Sequence, residues 1–287
     1  MIIVTGGSGK VGRAAVRDLM EHGYKVVSID LAKPAGISNP PKPTDPTYSQ
    51  ADITDFGQVM AAFSGINDRV EEPVTGIVHM GAIAAPGQAL DHVIFDTNMS
   101  STYNVFEAAR RLKIRNVVWA SSETVYGIPY PEGPVYAPVD EDVELPQTSY
   151  SLSKLMGEKL AEQYALWDPE TKIIGLRFSN VQEPQDYAHF AGYQDDARKR
   201  HWNLWTYIDA RDAAQSIRLS LESKLKGAHV FGIANTNSLM RRSNDELLDE
   251  VFPGTPRKRP LQPNESLISI EKAQRVLGYK PQYDWKG

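Results

Sequence analysis

Short apolar runs alternate with helical spacings through the first part of the chain. Ile2–Val4, Val26–Ile29, Gly76–His79, Asn116–Ala120 and Ile173–Leu176 are brief stretches rich in Val and Ile and read as strands. Between them, Arg13–His22 sets Ala14, Ala15, Leu19 and Met20 at helical spacing, and Phe56–Phe63, Thr97–Leu112 and Tyr150–Trp167 repeat the pattern. The strands are nearly continuous in apolar residues, as strands buried on both faces are. Their alternation with helices predicts an α/β fold, a doubly wound parallel sheet.

Two segments break this rhythm. Ala32–Thr47 is rich in Pro, Gly, Asn and Asp and reads as an exposed loop. Ile128–Gln147 carries Pro129, Pro131, Pro134, Pro138 and Pro146 and reads as a loop that can form a lid or substrate wall. After Arg177 the alternation weakens. The expected division is a dinucleotide-type domain at 1–176 and a smaller substrate-facing part at 177–287, interleaved with the sheet or separate from it.

Composition narrows the classes. The 287 residues are 41% hydrophobic and 23% charged, with a net charge of −5. An acidic chain is a poor binder of a phosphate backbone, and the cluster Arg198–Lys199–Arg200 is too short to alter that; no nucleic-acid partner is expected. There is no cysteine, which excludes disulfides, thiolate catalysis and Cys-based zinc sites. The six histidines show no ligand spacing, and His79, after an apolar strand, reads as a satisfied buried residue; no metal is expected. With neither a signal-peptide pattern nor an apolar run of membrane-spanning length, a cytoplasmic protein without a membrane partner is expected.

Chemistry enters at Thr5–Gly12. Gly6, Gly9 and Gly12 have the spacing G-x-x-G-x-x-G between a strand and a helix. Such glycines permit a tight turn, close approach of backbone to a pyrophosphate, and close helix–strand packing. Lys10 and Val11 belong to the same turn, whose helix-start N–H groups favour anionic phosphates. A glycine triplet alone also serves an ordinary turn. Asp30 ends the second strand, where a carboxylate accepts ribose hydroxyls and repels a 2′-phosphate, favouring NAD over NADP; otherwise it only caps a loop. Asp52 and Ile53 are placed to bound an adenine.

Tyr150 and Lys154 share a helix face one turn apart. Free tyrosine, with a pKa of about 10, is a poor base at neutral pH. The ammonium of Lys154 together with a positive nicotinamide ring favours the phenolate, and Lys154 can also hold the nicotinamide ribose. Ser122, after the fourth apolar strand, can donate to the same substrate oxygen.

The ordered set T-G-G-S-G-K-V-G at 5–12, Asp30, Asp52-Ile53, H-M-G-A at 79–82, Asn98, S-S-E-T-V-Y-G at 121–127, Y-S-L-S-K at 150–154, L-R-F-S-N-V at 176–181 and Y-I-D-A-R-D at 207–212 resembles the extended short-chain dehydrogenase/reductases, the NAD-dependent epimerase/dehydratase superfamily. The resemblance implies a Rossmann sheet with a small C-terminal substrate-binding part and Ser122, Tyr150 and Lys154 as the catalytic residues. It implies NAD contacts at Met80, Gly81, Ala82, Asn98 and Phe178, besides the glycine loop. It places Ala84, Ser122, Glu123, Asn180 and Trp205 at the substrate. It also implies a homodimer formed through helices near 97–112 and 150–167.

Two reactions of that family begin alike, with proton abstraction by Tyr150 and hydride transfer to NAD. The stretch from Asn180 to Trp205 is short for a nucleoside-diphosphate clamp, and R-F-S-N-V-Q-E-P-Q-D-Y at 177–187 is similar to uronate dehydrogenases. Oxidation of a free sugar or sugar acid at C1 is therefore the expected reaction, with a nucleotide-sugar epimerase or dehydratase that retains NAD as the alternative. A sugar acid needs a cation; Arg198, Arg200 and His201 are candidates, or belong to a solvated loop. Trp202, Trp205 and Tyr207 either stack on a sugar or pack inside.

Overall fold

The computed structural model describes residues 1–33, 45–69 and 72–286. Its centre is β1 (Ile2–Thr5), all four residues of which are buried. Alternate side chains go to opposite faces of a strand. Ile2 and Val4 accordingly join one core with Val26, Val78, Val118 and Leu176, while Ile3 joins a second with Val27, Ile77, Val117 and Ile173. Both faces are covered, which is why these strands read as unbroken apolar runs.

The sheet has seven parallel strands. Besides β1 they are β2 (Val26–Asp30), β3 (Thr47–Gln50), β4 (Gly76–His79), β5 (Asn116–Ser122), β6 (Lys172–Phe178) and β9 (Gly227–Ile233), in the order β3-β2-β1-β4-β5-β6-β9. Helices α1 (Lys10–Glu21) and α5 (Ala210–Glu222) pack on the first face through Ala15, Leu19, Ala213 and Ile217. Helices α2 (Phe56–Arg69), α3 (Asp91–Arg111) and α4 (Ser149–Trp167) cover the second through Val59, Val105, Phe106 and Ala161. Strand order reverses direction beside β1, so the carboxyl ends of β1 and β4 border a crevice of the kind where doubly wound sheets take their ligands.

The chain after Arg177 returns to this sheet: β9 pairs with β6 and α5 packs against the α1 side. It also forms a two-stranded parallel pair, β7 (Val181–Gln182) with β8 (Ile208–Asp209), and helices α6 (Asn244–Val251) and α7 (Glu271–Leu277). Asp212 anchors the C-terminal tail by accepting the backbone N–H groups of Gln282 and Tyr283 at 2.8 and 3.0 Å.

Three expectations change. Helix α3 begins at Asp91, six residues before Thr97, because its first turns are mostly exposed and carry no apolar period. Strand β3 is an edge strand of half-buried and exposed residues, so no apolar run announces it. The stretch 128–147 is the expected loop, without helix or strand, but parts of it are enclosed. Ile128, Ala137 and Val139 are fully buried, and backbone bonds from Ala137 to Pro256 and from Val139 to Leu267 sew it to the C-terminal part. Of the loop expected at 32–47, residues 34–44 lie outside the described residues.

Candidate active site

Gly6 has φ +70°, and a Cβ there would lie 2.4 Å from the Gly81 nitrogen. A Cβ on Gly12 would lie 2.0 Å from the Gly6 carbonyl oxygen, so the loop and helix α1 meet backbone to backbone. Helix α1 starts after Gly9 with no side-chain cap and no acidic residue in its first turn. Its leading N–H groups are therefore left for an anion. Asp30 accepts the Ser8 N–H at 2.9 Å and the Leu31 N–H at 2.7 Å, which holds its carboxylate at the rim of the same loop. An uncapped helix start, glycine-lined backbone and a rim carboxylate together fit a pyrophosphate with an adjoining ribose diol, the fit expected of NAD.

The other residues expected at the cofactor are placed as follows. The Met80 N–H donates to the Thr5 carbonyl, Gly81 lies under Ile53, and Ala82 is half-buried beside them. Asp52 accepts from both Thr54 N–H and Oγ1. Asn98 is buried on α3; its amide bonds both backbone groups of Ile83 and so shapes the loop that carries exposed Ala84. Phe178 is buried and pairs in register with Ser122. Lys10 turns away from the loop: its ammonium meets Asp186 at 2.7 Å and the Val181 carbonyl at 3.3 Å. Arg13 likewise reaches Glu183 at 3.1 Å. Val11 packs against the first core. His79 is buried between Thr5 and Thr102, and burial pushes its pKa down to about 3, so it is neutral.

Ser122, Tyr150 and Lys154 meet where β5 ends and α4 begins. A reciprocal cap fixes that start: Thr148 Oγ1 accepts the Ser151 N–H at 3.1 Å and the Thr148 N–H donates to Ser151 Oγ at 2.8 Å. Two turns further on, Glu158 is locked to the fully buried Arg177 by two bonds of 2.9 and 2.8 Å and accepts the Ser121 hydroxyl at 2.5 Å. Lys154 donates to the Ala120 carbonyl at 2.9 Å and lies 5.6 Å from the centre of the Tyr150 ring. Ser122 Oγ accepts from both Thr124 N–H and Thr124 Oγ1, so its own proton is left to donate.

Electrostatics here are dominated by burial. Burial pushes Tyr150 up to about 12, with the Glu123 charge adding to the rise and the Ser122 hydroxyl opposing it. Burial lowers Lys154 to about 8. Among the protein's own groups, loss of hydration is the largest influence on Tyr150.

Two residues expected at the substrate are enclosed instead. Trp205 has no exposed surface and its indole N–H donates to the Ala197 carbonyl at 2.8 Å, which corrects the expectation of a sugar-stacking face. Glu123 is 4% exposed and is held by Asn203 Nδ2 at 3.3 Å and Thr206 Oγ1 at 3.2 Å. Burial raises its carboxyl to about 7 against the pull of these donors and of Arg200. Asn180, half-buried, accepts from Arg200 at 3.1 Å. Asn203 and Thr206 were not among the expected site residues; they lie in a segment whose backbone takes positive φ at Arg200, Leu204 and Trp205. Among the described residues no cluster suited to a metal ion occurs, and no helix is long and apolar enough to cross a membrane.

The chain is similar to known proteins in sequence and in fold. The UDP-glucose 4-epimerase of Lacticaseibacillus casei is 27% identical over 326 aligned positions, covering 99% of this chain and 92% of that protein. The bifunctional UDP-glucose and UDP-xylose 4-epimerase 3 of Arabidopsis thaliana is 30% identical over 191 positions, 62% of this chain and 51% of that one. In fold, the chain is similar to the UDP-glucose 4-epimerase of Thermotoga maritima (TM-score 0.71, 20% identity, 99% and 94% of the two chains). It is equally similar to a short-chain dehydrogenase/reductase superfamily protein of Agrobacterium tumefaciens with bound NAD (TM-score 0.72, 23% identity, 100% and 94%). The profile of the NAD dependent epimerase/dehydratase family matches residues 2–234, and this chain belongs to that family.

Proposed function

We propose that the protein is an NAD-dependent sugar-converting enzyme in which Tyr150 takes the proton of a substrate hydroxyl, and that the substrate is a nucleotide sugar epimerised at the oxidised carbon. The observation that carries the chemistry is the meeting of Ser122, Tyr150 and Lys154 beside the glycine loop. The nucleotide-sugar alternative moves ahead of free-sugar oxidation because relatives named as UDP-glucose 4-epimerases align along nearly the whole chain. When bound, NAD supplies the hydride acceptor and a positive charge.

The chain's own residues then divide the work. Ser122, with both lone pairs engaged by Thr124, donates to the reacting oxygen. Tyr150 is the general base. Lowering its pKa from about 12 to neutrality takes roughly 7 kcal/mol, at about 1.4 kcal/mol per unit. Lys154, whose ammonium lies 5.6 Å from the centre of the Tyr150 ring, adds a positive charge that favours the phenolate. Tyr150→Phe is expected to abolish turnover and leave NAD binding intact; unchanged turnover rejects the assignment.

One observation favours a second reading, net oxidation of a free sugar acid. The alignment with the L. casei enzyme spans 326 positions against the 287 residues here, so that enzyme has segments with no counterpart in this chain. The decisive measurement is product analysis. An epimerase converts a UDP-sugar with no lasting rise in NADH absorbance and is purified with NAD attached. A dehydrogenase accumulates NADH with an unmodified uronate.

A further inference from the structure

Lys10 and Arg13 stand on the first turn of α1, directly after the glycine loop, yet both side chains reach away from it to one short stretch of chain. Lys10 Nζ meets Asp186 at 2.7 Å and the Val181 carbonyl at 3.3 Å, and Arg13 meets Glu183 at 3.1 Å. Arg13 also donates to the Ser8 carbonyl at 2.7 Å, inside the glycine loop itself. Two cations thus tie that loop to residues 181–186. Against the upward push of burial, Lys10 and the Glu183 N–H hold the Asp186 carboxyl below its ordinary value, so this pair is ionised at neutral pH.

The connection crosses the sheet. Residues 181–186 follow β6, which stands three places from β1 in the order β1-β4-β5-β6. At about 4.8 Å between neighbouring strands that is about 14 Å. To meet α1, the chain leaves the end of β6 and runs over the carboxyl ends of β5 and β4, the long lysine and arginine side chains closing the remaining distance. Val181 and Tyr187 accordingly pack on the same core as Val11 of α1 and Met80 after β4. The stretch is fixed at both ends, by the pairing of β7 with β8 and by the Tyr187 hydroxyl donating to Asp209. Between these anchors the turn is stiffened by the Glu183 N–H donating to Asp186 at 2.8 Å and the Asp186 N–H donating to the Glu183 carbonyl at 2.8 Å.

We propose that Lys10 and Arg13 clasp residues 183–186 across the cofactor crevice, so that the dinucleotide enters and leaves only when the clasp parts. Both pairs lie between groups of the chain and need no ligand to form, so entry and exit meet the same barrier. A slowly exchanging dinucleotide suits an enzyme that reoxidises it in place. The inference rests on the reading above that NAD occupies this crevice.

The test follows exchange of the dinucleotide rather than turnover. Entry is measured by stopped-flow mixing of NADH with the dinucleotide-free full chain, and release by displacing bound NADH with excess NAD, both read by NADH fluorescence. The variant is Asp186→Asn with Glu183→Gln, which unpairs both cations and leaves the glycine loop unaltered. Entry and release should both quicken by roughly 5- to 30-fold, as for the loss of two partly exposed ion pairs, and by the same factor, so that the equilibrium affinity stays as it was. The gain should shrink as salt is raised, because such pairs are screened. Unchanged rates overturn the proposal. So does faster release with unchanged entry, which reduces the pairs to support for the loop. Faster entry with slower release also overturns it, since that assigns the freed Lys10 and Arg13 to the phosphates. Should the double variant not fold, Asp186→Asn alone is judged by the same outcomes. If both rates rise together and no UDP-sugar or uronate is converted, the proposed reaction falls and this inference stands; if a UDP-sugar is epimerised and neither rate moves, the reverse holds.

Discussion

Glu123 offers a sharp measurement because its environment opposes its ordinary charge. Its carboxyl is raised from 4.5 to about 7 and is 4% exposed, so solvent screening is slight. The unfolded chain begins to release this proton near pH 4.5, while the folded chain keeps it until about pH 7. Over that window the native state binds more protons, so stability falls as pH rises and then levels off. Two and a half units correspond to about 3 kcal/mol. Glu123→Gln keeps the shape, never ionises, and escapes that loss. For a chain of this length, with an unfolding entropy of about 2 cal/mol/K per residue, this amounts to about 5 °C. Thermal melts at pH 5, 6, 7 and 8 should show the variant gaining on the unsubstituted protein by roughly that much from the lowest to the highest pH. Groups common to both proteins, Lys154 and His79 among them, cancel in the difference. A flat difference, or a variant that loses ground as pH rises, refutes the reasoning and makes Glu123 an ionised partner of Arg200.

Other expectations follow from single contacts. Gly12→Ala places a Cβ against the Gly6 carbonyl and should cost most of the NAD affinity, measurable by calorimetry with the fold intact by circular dichroism; normal affinity counts against a backbone-to-backbone cradle. Arg177→Met leaves the Glu158 carboxylate buried without its cation and should destabilise the fold by about 3–5 kcal/mol in denaturant titration, whereas a loss under 1 kcal/mol shows the pair to be dispensable. Tyr103 on α3 and Leu152 and Met156 on α4 are exposed large apolar side chains, the latter two on one face. A homodimer through these helices is expected by light scattering, with Met156→Glu shifting it to monomer; a dimer indifferent to that change excludes this face.

Legibility in the sequence followed burial. The strands of the central sheet declared themselves because every position of β1 and β4 is covered on both sides. The edge strand β3 and the first turns of α3 did not, since exposed backbone can be regular without an apolar period. The glycine loop was readable because a missing Cβ is itself a sequence letter. Glu123 was picked out, but not its enclosure, which depends on Asn203 and Thr206 about eighty residues away folding back through left-handed backbone. Lys10 belonged to the right loop, yet its side chain is claimed by Asp186, a partner that no local pattern reveals.

The interior lock between Glu158 and Arg177 separates two kinds of variation. Tyr150 and Lys154 take their aim from the first turn of α4, which that lock and the Thr148 cap fix to the sheet from behind. The segment from Pro184 to Thr206 contributes no strand to the sheet, but Asn203 and Thr206 fasten its end to Glu123, and Phe190, Ala197 and Trp205 are buried in the core, which leaves only its exposed positions free of that alignment. Changes at Asp195, Asp196, Arg198 and Lys199 should therefore leave the aim of Tyr150 and Lys154 untouched, whereas changes at Asn203 or Thr206 reach the catalytic end of β5.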